Sequence, residues 1–381
     1  MAKIVNICDV CTEIFAGGDA PKGRISKERT KEYPIPIFSN GEEKEGLYGF
    51  TDAARVEKPS VTISARGTIG YTAIRTEPFV PIVRLITLVP DQNKIDIKYL
   101  YYAVQNYEFE GSGTSIPQLT VPMLKKYNFP LPSKEEQQNV ASALDKVSEL
   151  IALRKEQLAK LDQLVKSRFI ELFGEPIANQ KNLPVKTLKE ISTLITNGNT
   201  PKGGSENYVE NGITFLRSQN VWRNNIVLDD VAYIDEETHE SMKKSSVHYK
   251  DILITKTGRI NTENSSLGRA ALYLGEDDSA NINGHVYLVR LDDTVVPEYV
   301  VTILTGEAYR RYIRKVCVGG IDKRQINLDQ VEEFPIILPP KEQQEQFADF
   351  VRQIDKSKLA IQQSLDKLEL LKKSLTQEYF G

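Results

Sequence analysis

At 381 residues, with 40% hydrophobic and 27% charged residues and a mean hydropathy of −0.36, the chain has room for two domains and the composition of an ordinary water-soluble protein. No apolar run approaches the roughly 20 residues that span a bilayer, and no charged-then-apolar leader opens the chain, so a cytoplasmic protein without a membrane partner is expected. The net charge of −3 argues against indiscriminate coating of nucleic acid and leaves local basic patches open, while three cysteines fit a reducing compartment without a disulfide framework.

In chain order, the first segment, residues 1–130, opens with "VNICDVCTEIFAGGDAPKG" from Val5. Its Cys8 and Cys11 form a C-x-x-C, but a zinc site needs two more ligands, and Cys317, His239, His248 and His285 are all distant in sequence. The acidic "GEEKEG" from Gly41 reads as a flexible charged loop, not as a set of nuclease ligands. "VTISARGTIGYTA" follows from Val61; the β-branched run Pro81–Val89 reads as a strand, and Ile97–Tyr107 reads as a helix. "GTSIPQLTVPMLKKYNFPLP" from Gly113 leads out of the segment.

Residues 131–174 then read as one long helix. Val140, Leu144, Val147, Ile151, Leu158, Leu161 and Val165 fall at steps of three and four, which makes a heptad seam with charged residues on the other faces. Ser133 and Glu136 make a capping-box start, and Gly174 before Pro176 is a stop. The second segment, 175–337, carries a strand at His285–Leu291 and a helix over Glu298–Val316. Residues 338–381 are a second long helix with its seam at Phe347, Val351, Ile354, Ile361, Leu365, Leu368 and Lys372.

The two helices are a repeat. Leu131–Gly174 and Leu338–Gly381 align without a gap, with about 15 positions identical, among them Lys134/Lys341, Gln137/Gln344 and Phe173-Gly174/Phe380-Gly381. The segments between them repeat more faintly. "VNICDVCTEIF" aligns with "VKTLKEISTLIT" from Val185, which sets Cys8 against Leu188 and Cys11 against Ile191 and so predicts buried thiols. "VTISARGTIGYTA" matches "ILITKTGRINTENSSLGRAA" from Ile252, and "GTSIPQLTVPMLKKYNFPLP" matches "VGGIDKRQINLDQVEEFPIILP" from Val318. The expected fold is therefore α+β: two globular heads joined by two long antiparallel coiled-coil helices, related by a pseudo-twofold axis.

This layout resembles the specificity (S) subunit of type I restriction–modification systems over essentially the whole chain. The resemblance rests on the repeated "LPSKEEQ"/"LPPKEQQ" helix opening, the "ELFG"/"EYFG" helix ending and the "GTSIPQLTVPMLKKYNFPLP" type of segment. It implies that each head is a target-recognition domain for one half of a bipartite site on double-stranded DNA. It also implies that the helices space the heads and dock two methyltransferase subunits, and that restriction/translocase subunits join through the complex. The chain has no D/N-P-P-Y/F methyltransferase motif and no phosphate loop. A non-catalytic subunit is expected, with no cofactor of its own and with S-adenosylmethionine and ATP used by its partners. A coiled-coil scaffold with protein-binding heads and a stand-alone DNA-binding regulator are the alternatives.

Direct readout of DNA needs Arg, Lys, Asn or Gln at base edges, positioned by contacts to phosphate. In the first head Lys22, Arg24, Arg66, Thr68, Ser115 and Gln118 lie in Gly- or Pro-bearing loops between predicted elements. In the second head Lys202, Arg217, Gln219, Asn220, Lys256, Arg259, Lys323, Arg324 and Gln325 do the same. Arg310 and Arg314, with Arg311 and Lys315, form a basic cluster on a predicted helix suited to phosphate contacts. Trp222 fits either a core anchor or a wedge.

Overall fold

The structure is a computed structural model and describes residues 2–107, 118–201, 203–262, 264–320 and 322–381. The chain divides into two compact units, Met1–Gln157 with Ile361–Gly381, and Leu158–Ala360.

In the first unit, the β-branched runs Ser60–Ser64 and Leu85–Pro90 are buried along their whole length, as strands at the centre of a sheet must be. They form an antiparallel four-stranded sheet in the order Cys11–Ala16, Leu85–Pro90, Ser60–Ser64, Thr72–Arg75. A second sheet runs Leu47–Thr51, Ile35–Phe38, Val80–Pro81, the last pair parallel. Lys3–Asn6 pairs with Asn128–Leu131. The strand expected over Pro81–Val89 is thus two strands in different sheets. The chain turns between them where Gly17 passes, and a Cβ on Gly17 would lie 2.3 Å from the Ile82 carbonyl oxygen. One residue of the acidic loop is in contact with the sheets: the Arg75 guanidinium donates to Glu45 Oε2 (3.0 Å) and to the Glu45 carbonyl (2.6 Å) while lying 3.7 Å over the Phe38 ring.

The second unit repeats this plan strand for strand. Its four-stranded sheet runs Ser192–Asn197, Val286–Leu291, Ile252–Thr255, Ala270–Leu272, all antiparallel. Its three-stranded sheet runs Ala232–Ile234, Ile213–Leu216, Ala280–Ile282, again with the last pair parallel, and Val185–Thr187 pairs with Pro335–Ile337. Gly198 repeats Gly17: its Cβ would meet the Ile282 carbonyl oxygen at 2.0 Å. Two elements have no counterpart among the described residues of the first unit. One is the hairpin Val221–Trp222/Asn225–Ile226, and the other is a sheet of Thr257–Arg259, Lys323–Gln325 and Val318–Gly319. The helix expected over Glu298–Val316 is two, Pro297–Thr305 and Glu307–Val316. Gly306, a poor helix former, is extended between them (φ −67°, ψ 154°).

The register of the repeat at the N-terminus differs by one residue from the sequence alignment. Asn6 N donates to Asp9 Oδ2, and Thr187 N donates to Glu190 Oε2 in the same way, so Asn6 matches Thr187. Ile7 and Val10, not the cysteines, take the fully buried places of Leu188 and Ile191. Cys8 is exposed, against expectation; Cys11 is half-buried, and burial, reinforced by Cys8, raises its thiol pKa to about 12.

The long helices are Lys134–Phe173 and Lys341–Phe380. Their repeated opening is a fastening. Gln137 is buried; its Oε1 accepts from Asp96 N (2.7 Å) and its Nε2 donates to Pro132 O (2.9 Å). Gln344 does the same with Val296 N (3.1 Å) and Pro339 O (2.9 Å). Lys134 Nζ donates to Gln92 O (2.9 Å) and Lys341 Nζ to Asp293 O (2.5 Å). Each helix start is therefore tied to the turn that precedes the tyrosine-bearing helix of its own head.

The repeated ending is an anchor. In the first unit the Phe380 ring lies 4.9 Å from Tyr99, in one core with Val140 and Leu144. In the second unit Phe173 lies 5.1 Å from Tyr299, in one core with Phe347 and Val351. Tyr99 and Tyr299 each donate their hydroxyl to a backbone carbonyl, of Pro130 and Ile337. Within each unit the start of one helix thus meets the end of the other, antiparallel. Lys155 pairs with Glu369 (2.9 Å) in the first unit and Lys358 with Asp162 (2.7 Å) in the second. Lys372, at a seam position, is half-buried; burial, then Lys155, lowers its pKa.

Gln137→Ala should leave the buried Asp96 N–H and the Pro132 carbonyl without their side-chain partner and cost about 2–3 kcal/mol. Gln138→Ala, one position on and exposed, should stay within about 0.5 kcal/mol of the parent. Urea unfolding of the two variants measures the contrast.

Candidate nucleic-acid interface

The sheet of Thr257–Arg259, Lys323–Gln325 and Val318–Gly319 carries an exposed cluster of predicted residues. Side chains alternate across a strand, so Thr257, Arg259, Lys323 and Gln325 share one face. The register sets Arg259 directly opposite Lys323 and Thr257 opposite Gln325. Arg259, Lys323 and Gln325 are exposed, and among the described residues neither cation is in an ion pair. Like charges placed opposite one another destabilise a sheet, so this pairing works against the stability of the sheet. Arg324 lies on the other face, opposite Gly258, with its Nε enclosed and without a hydrogen-bond partner.

A groove of about 570 Å³ separates this sheet from the added hairpin, lined by Arg259 and Lys323 on one side and Gln219 and Trp222 on the other. Between them sits Arg269, buried, its Nε donating to Ser265 O (3.0 Å) and its Nη2 to Asn264 O. Its guanidinium carbon is 3.9 Å from the Trp222 ring centroid. Burial, then Arg223, lowers the Arg269 pKa. Trp222 Nε1 donates to Gln219 O (3.0 Å), yet the residue stays 41% exposed. Trp222 is thus neither a core anchor nor loose.

The other predicted residues of the second unit divide by how they are held. Asn220 is 2% exposed; its Nδ2 donates to the Val227 and Asp230 carbonyls and its Oδ1 accepts from Arg217 N, so it frames the loop instead of facing solvent. Arg217 Nη2 and Gln219 Nε2 both bind the Asp230 carboxylate (3.1 and 2.7 Å). Lys256 is half-buried, 5.7 Å over the Tyr287 ring. On the helix Glu307–Val316, Arg310 lies 3.7 Å from Glu307 with 19% of its side chain exposed, Arg311 lies 3.7 Å from Glu175, and Arg314 is half-buried. The basic cluster is therefore partly neutralised.

In the first unit, Gln118 matches Gln325. The next residue, Leu119, donates its N–H to Ala65 O as Ile326 donates to Lys256 O. Gln118 and Thr68 are exposed, and Arg66 is half-buried with its carbonyl accepting from Asn40 Nδ2. Lys22 is exposed on a separate loop, and Arg24 there pairs with Asp52 (2.9 Å). Ser115 and Lys202 lie outside the described residues. The residue that sequence reasoning missed is Arg269: its role depends on a ring far away in sequence, and no local pattern marks it. Among the described residues no group of histidine, cysteine and carboxylate side chains is placed to hold a metal ion, and no helix is long and apolar enough to cross a membrane.

The family model for the type I restriction modification DNA specificity domain matches residues 2–163 and again 180–371. A protein of Mycoplasma pneumoniae named as a type I specificity subunit is 35% identical over 143 residues, 38% of this chain and 42% of that protein, so the chain spans less than half of this relative. The MjaIX type I restriction enzyme specificity subunit of Methanocaldococcus jannaschii is 25% identical over 86% of this chain and 78% of its own. Among solved structures, the S subunit of a type I restriction–modification system from M. genitalium superposes with a TM-score of 0.62 at 18% identity, covering 100% of this chain and 96% of that one, a likeness of fold. With the specificity-domain model matched twice, once across each half of its internal repeat, the chain belongs to the family of type I restriction–modification DNA specificity subunits.

Proposed function

We propose that the chain reads a bipartite duplex DNA site, one half with each head, while its paired helices set the length of the unread spacer and dock two methyltransferase subunits. The observation that carries this reading is the repeat itself: two heads share every strand of two sheets, and the second carries a hairpin and a sheet without counterparts among the described residues of the first. A common scaffold with different additions suits one task performed on two different sequences. The chain contributes recognition. Methyl transfer from S-adenosylmethionine, with extrusion of the target adenine from the stack, and ATP-driven translocation and cleavage fall to partner subunits.

In this reading the exposed face of Thr257, Arg259, Lys323 and Gln325 lies against DNA, with Lys and Arg on phosphates or guanine edges and Gln325 within reach of adenine. Gln118, with Arg66 and Thr68, is the matching position in the first head. Lys22, Arg24, Arg310 and Arg314 serve as phosphate contacts where their carboxylate neighbours yield to the stronger field of the duplex.

Lys323→Glu should separate function from stability. A carboxylate opposite Arg259 makes a cross-strand ion pair and should stabilise the fold by about 0.5 kcal/mol. The same change should weaken duplex binding about tenfold and lower the salt slope of binding by about one. Urea unfolding and salt-dependent titration measure the two effects; unchanged DNA affinity would remove this face from the interface.

The spacer assignment has its own test. Deleting Ala152–Lys155 together with Asp366–Glu369 removes about one turn from each helix and both partners of the Lys155–Glu369 ion pair. The helix pair shortens by about 6 Å, and at about 3.4 Å per base pair the methylated motif should lose one or two unread positions while both half-sites keep their letters. Mapping of methylated adenines in cells that carry the variant and its methyltransferase reads the spacing directly.

A further inference from the structure

Trp222 is the chain's one tryptophan, and it is held in a way that a solvent-facing side chain does not need. Its ring stacks on the Arg269 guanidinium at 3.9 Å, and its Nε1 donates to the Gln219 carbonyl. Arg269 is itself immobilised, because its edge donors go to the carbonyls of Ser265 and Asn264. The ring therefore has little freedom left to lose, although 41% of the residue is open to solvent. It lines the same groove as Arg259 and Lys323, and both walls of that groove, the hairpin and the three-stranded sheet, have no counterpart among the described residues of the first head.

We propose that Trp222 is the second head's aromatic contact with duplex DNA, set against a base or its sugar by Arg269, and that the groove between the hairpin and the three-stranded sheet is where this head's sequence preference resides. The inference rests on the reading of the heads as DNA-binding modules. A rigid aromatic binds at low entropic cost, and its flat, apolar face complements the sugar and base surfaces that cations on the opposite wall cannot contact. The two exposed cations, Arg259 and Lys323, hold the phosphates on either side of that contact. A tryptophan serving only to cover Arg269 would be indifferent to DNA.

The test uses the full chain, a fluorescein-labelled duplex carrying its methylated motif, and two readouts in one titration. Fluorescein anisotropy reports whether DNA binds; tryptophan emission reports Trp222 alone. The expected result is a change in emission that tracks anisotropy, with Trp222→Phe binding within about threefold of the parent and Trp222→Ala losing about tenfold or more. A rise in anisotropy with constant emission, in the parent protein, overturns the proposal without depending on whether any variant folds. Parent-like affinity of a folded Trp222→Ala overturns it as well. No rise in anisotropy at all would instead sink the DNA-binding reading on which the proposal stands, so the two failures are told apart.

Discussion

The two ends of each long helix are fixed to protein cores by a buried glutamine and a buried phenylalanine, and the remaining architecture follows from this. Gln137 and Gln344 give both ends of their amides to backbone groups on either side of the helix start, where loss of the side chain would strand buried donors and acceptors. Phe380 and Phe173 end the helices against Tyr99 and Tyr299. A helix held by polar clips at one end and by an aromatic lock at the other has a defined register against its neighbour. That is why the openings and endings of the repeat stay alike while the head sequences drift.

The heads show the complementary behaviour. Strand order and strand sense are the same in both, down to a parallel pair in each three-stranded sheet and a glycine forced by a carbonyl at the same turn. What differs is what has been added. The second head's hairpin and three-stranded sheet, without counterparts among the described residues of the first, place Arg259, Lys323, Gln219 and Trp222 around one groove. Among the described residues two cations face each other there without an ion-pair partner, and a tryptophan stays 41% exposed.

Much of this was legible in the sequence, and the exceptions have physical causes. The helix seams were readable because burial at steps of three and four needs no tertiary knowledge; Val140, Leu144, Phe347 and Val351 are buried as their spacing requires. The pairing of the heads was readable only in outline. A one-residue slip moved Cys8 into a buried place that Ile7 holds, because short strands with bulges, such as the one between Cys11 and Glu13, carry little register information. Candidate contacts came from residue type and loop position alone. That reasoning singled out Arg259, Lys323 and Gln325, which lie on one strand face, but it could not see that Asn220 is spent on its own loop, nor that Arg269 reaches across the fold to Trp222. Such contacts are set by tertiary packing between distant segments.

Independence of the two heads is the central claim, and exchange of residues 1–130 for the corresponding segment of another family member tests it most directly. The chimera is placed in cells with its methyltransferase partner, and methylated adenines are mapped across the genome. One half of the bipartite motif should change, while the other half and the spacer stay as they were. A motif altered in both halves, or in neither, would contradict the assignment of one half-site to each head.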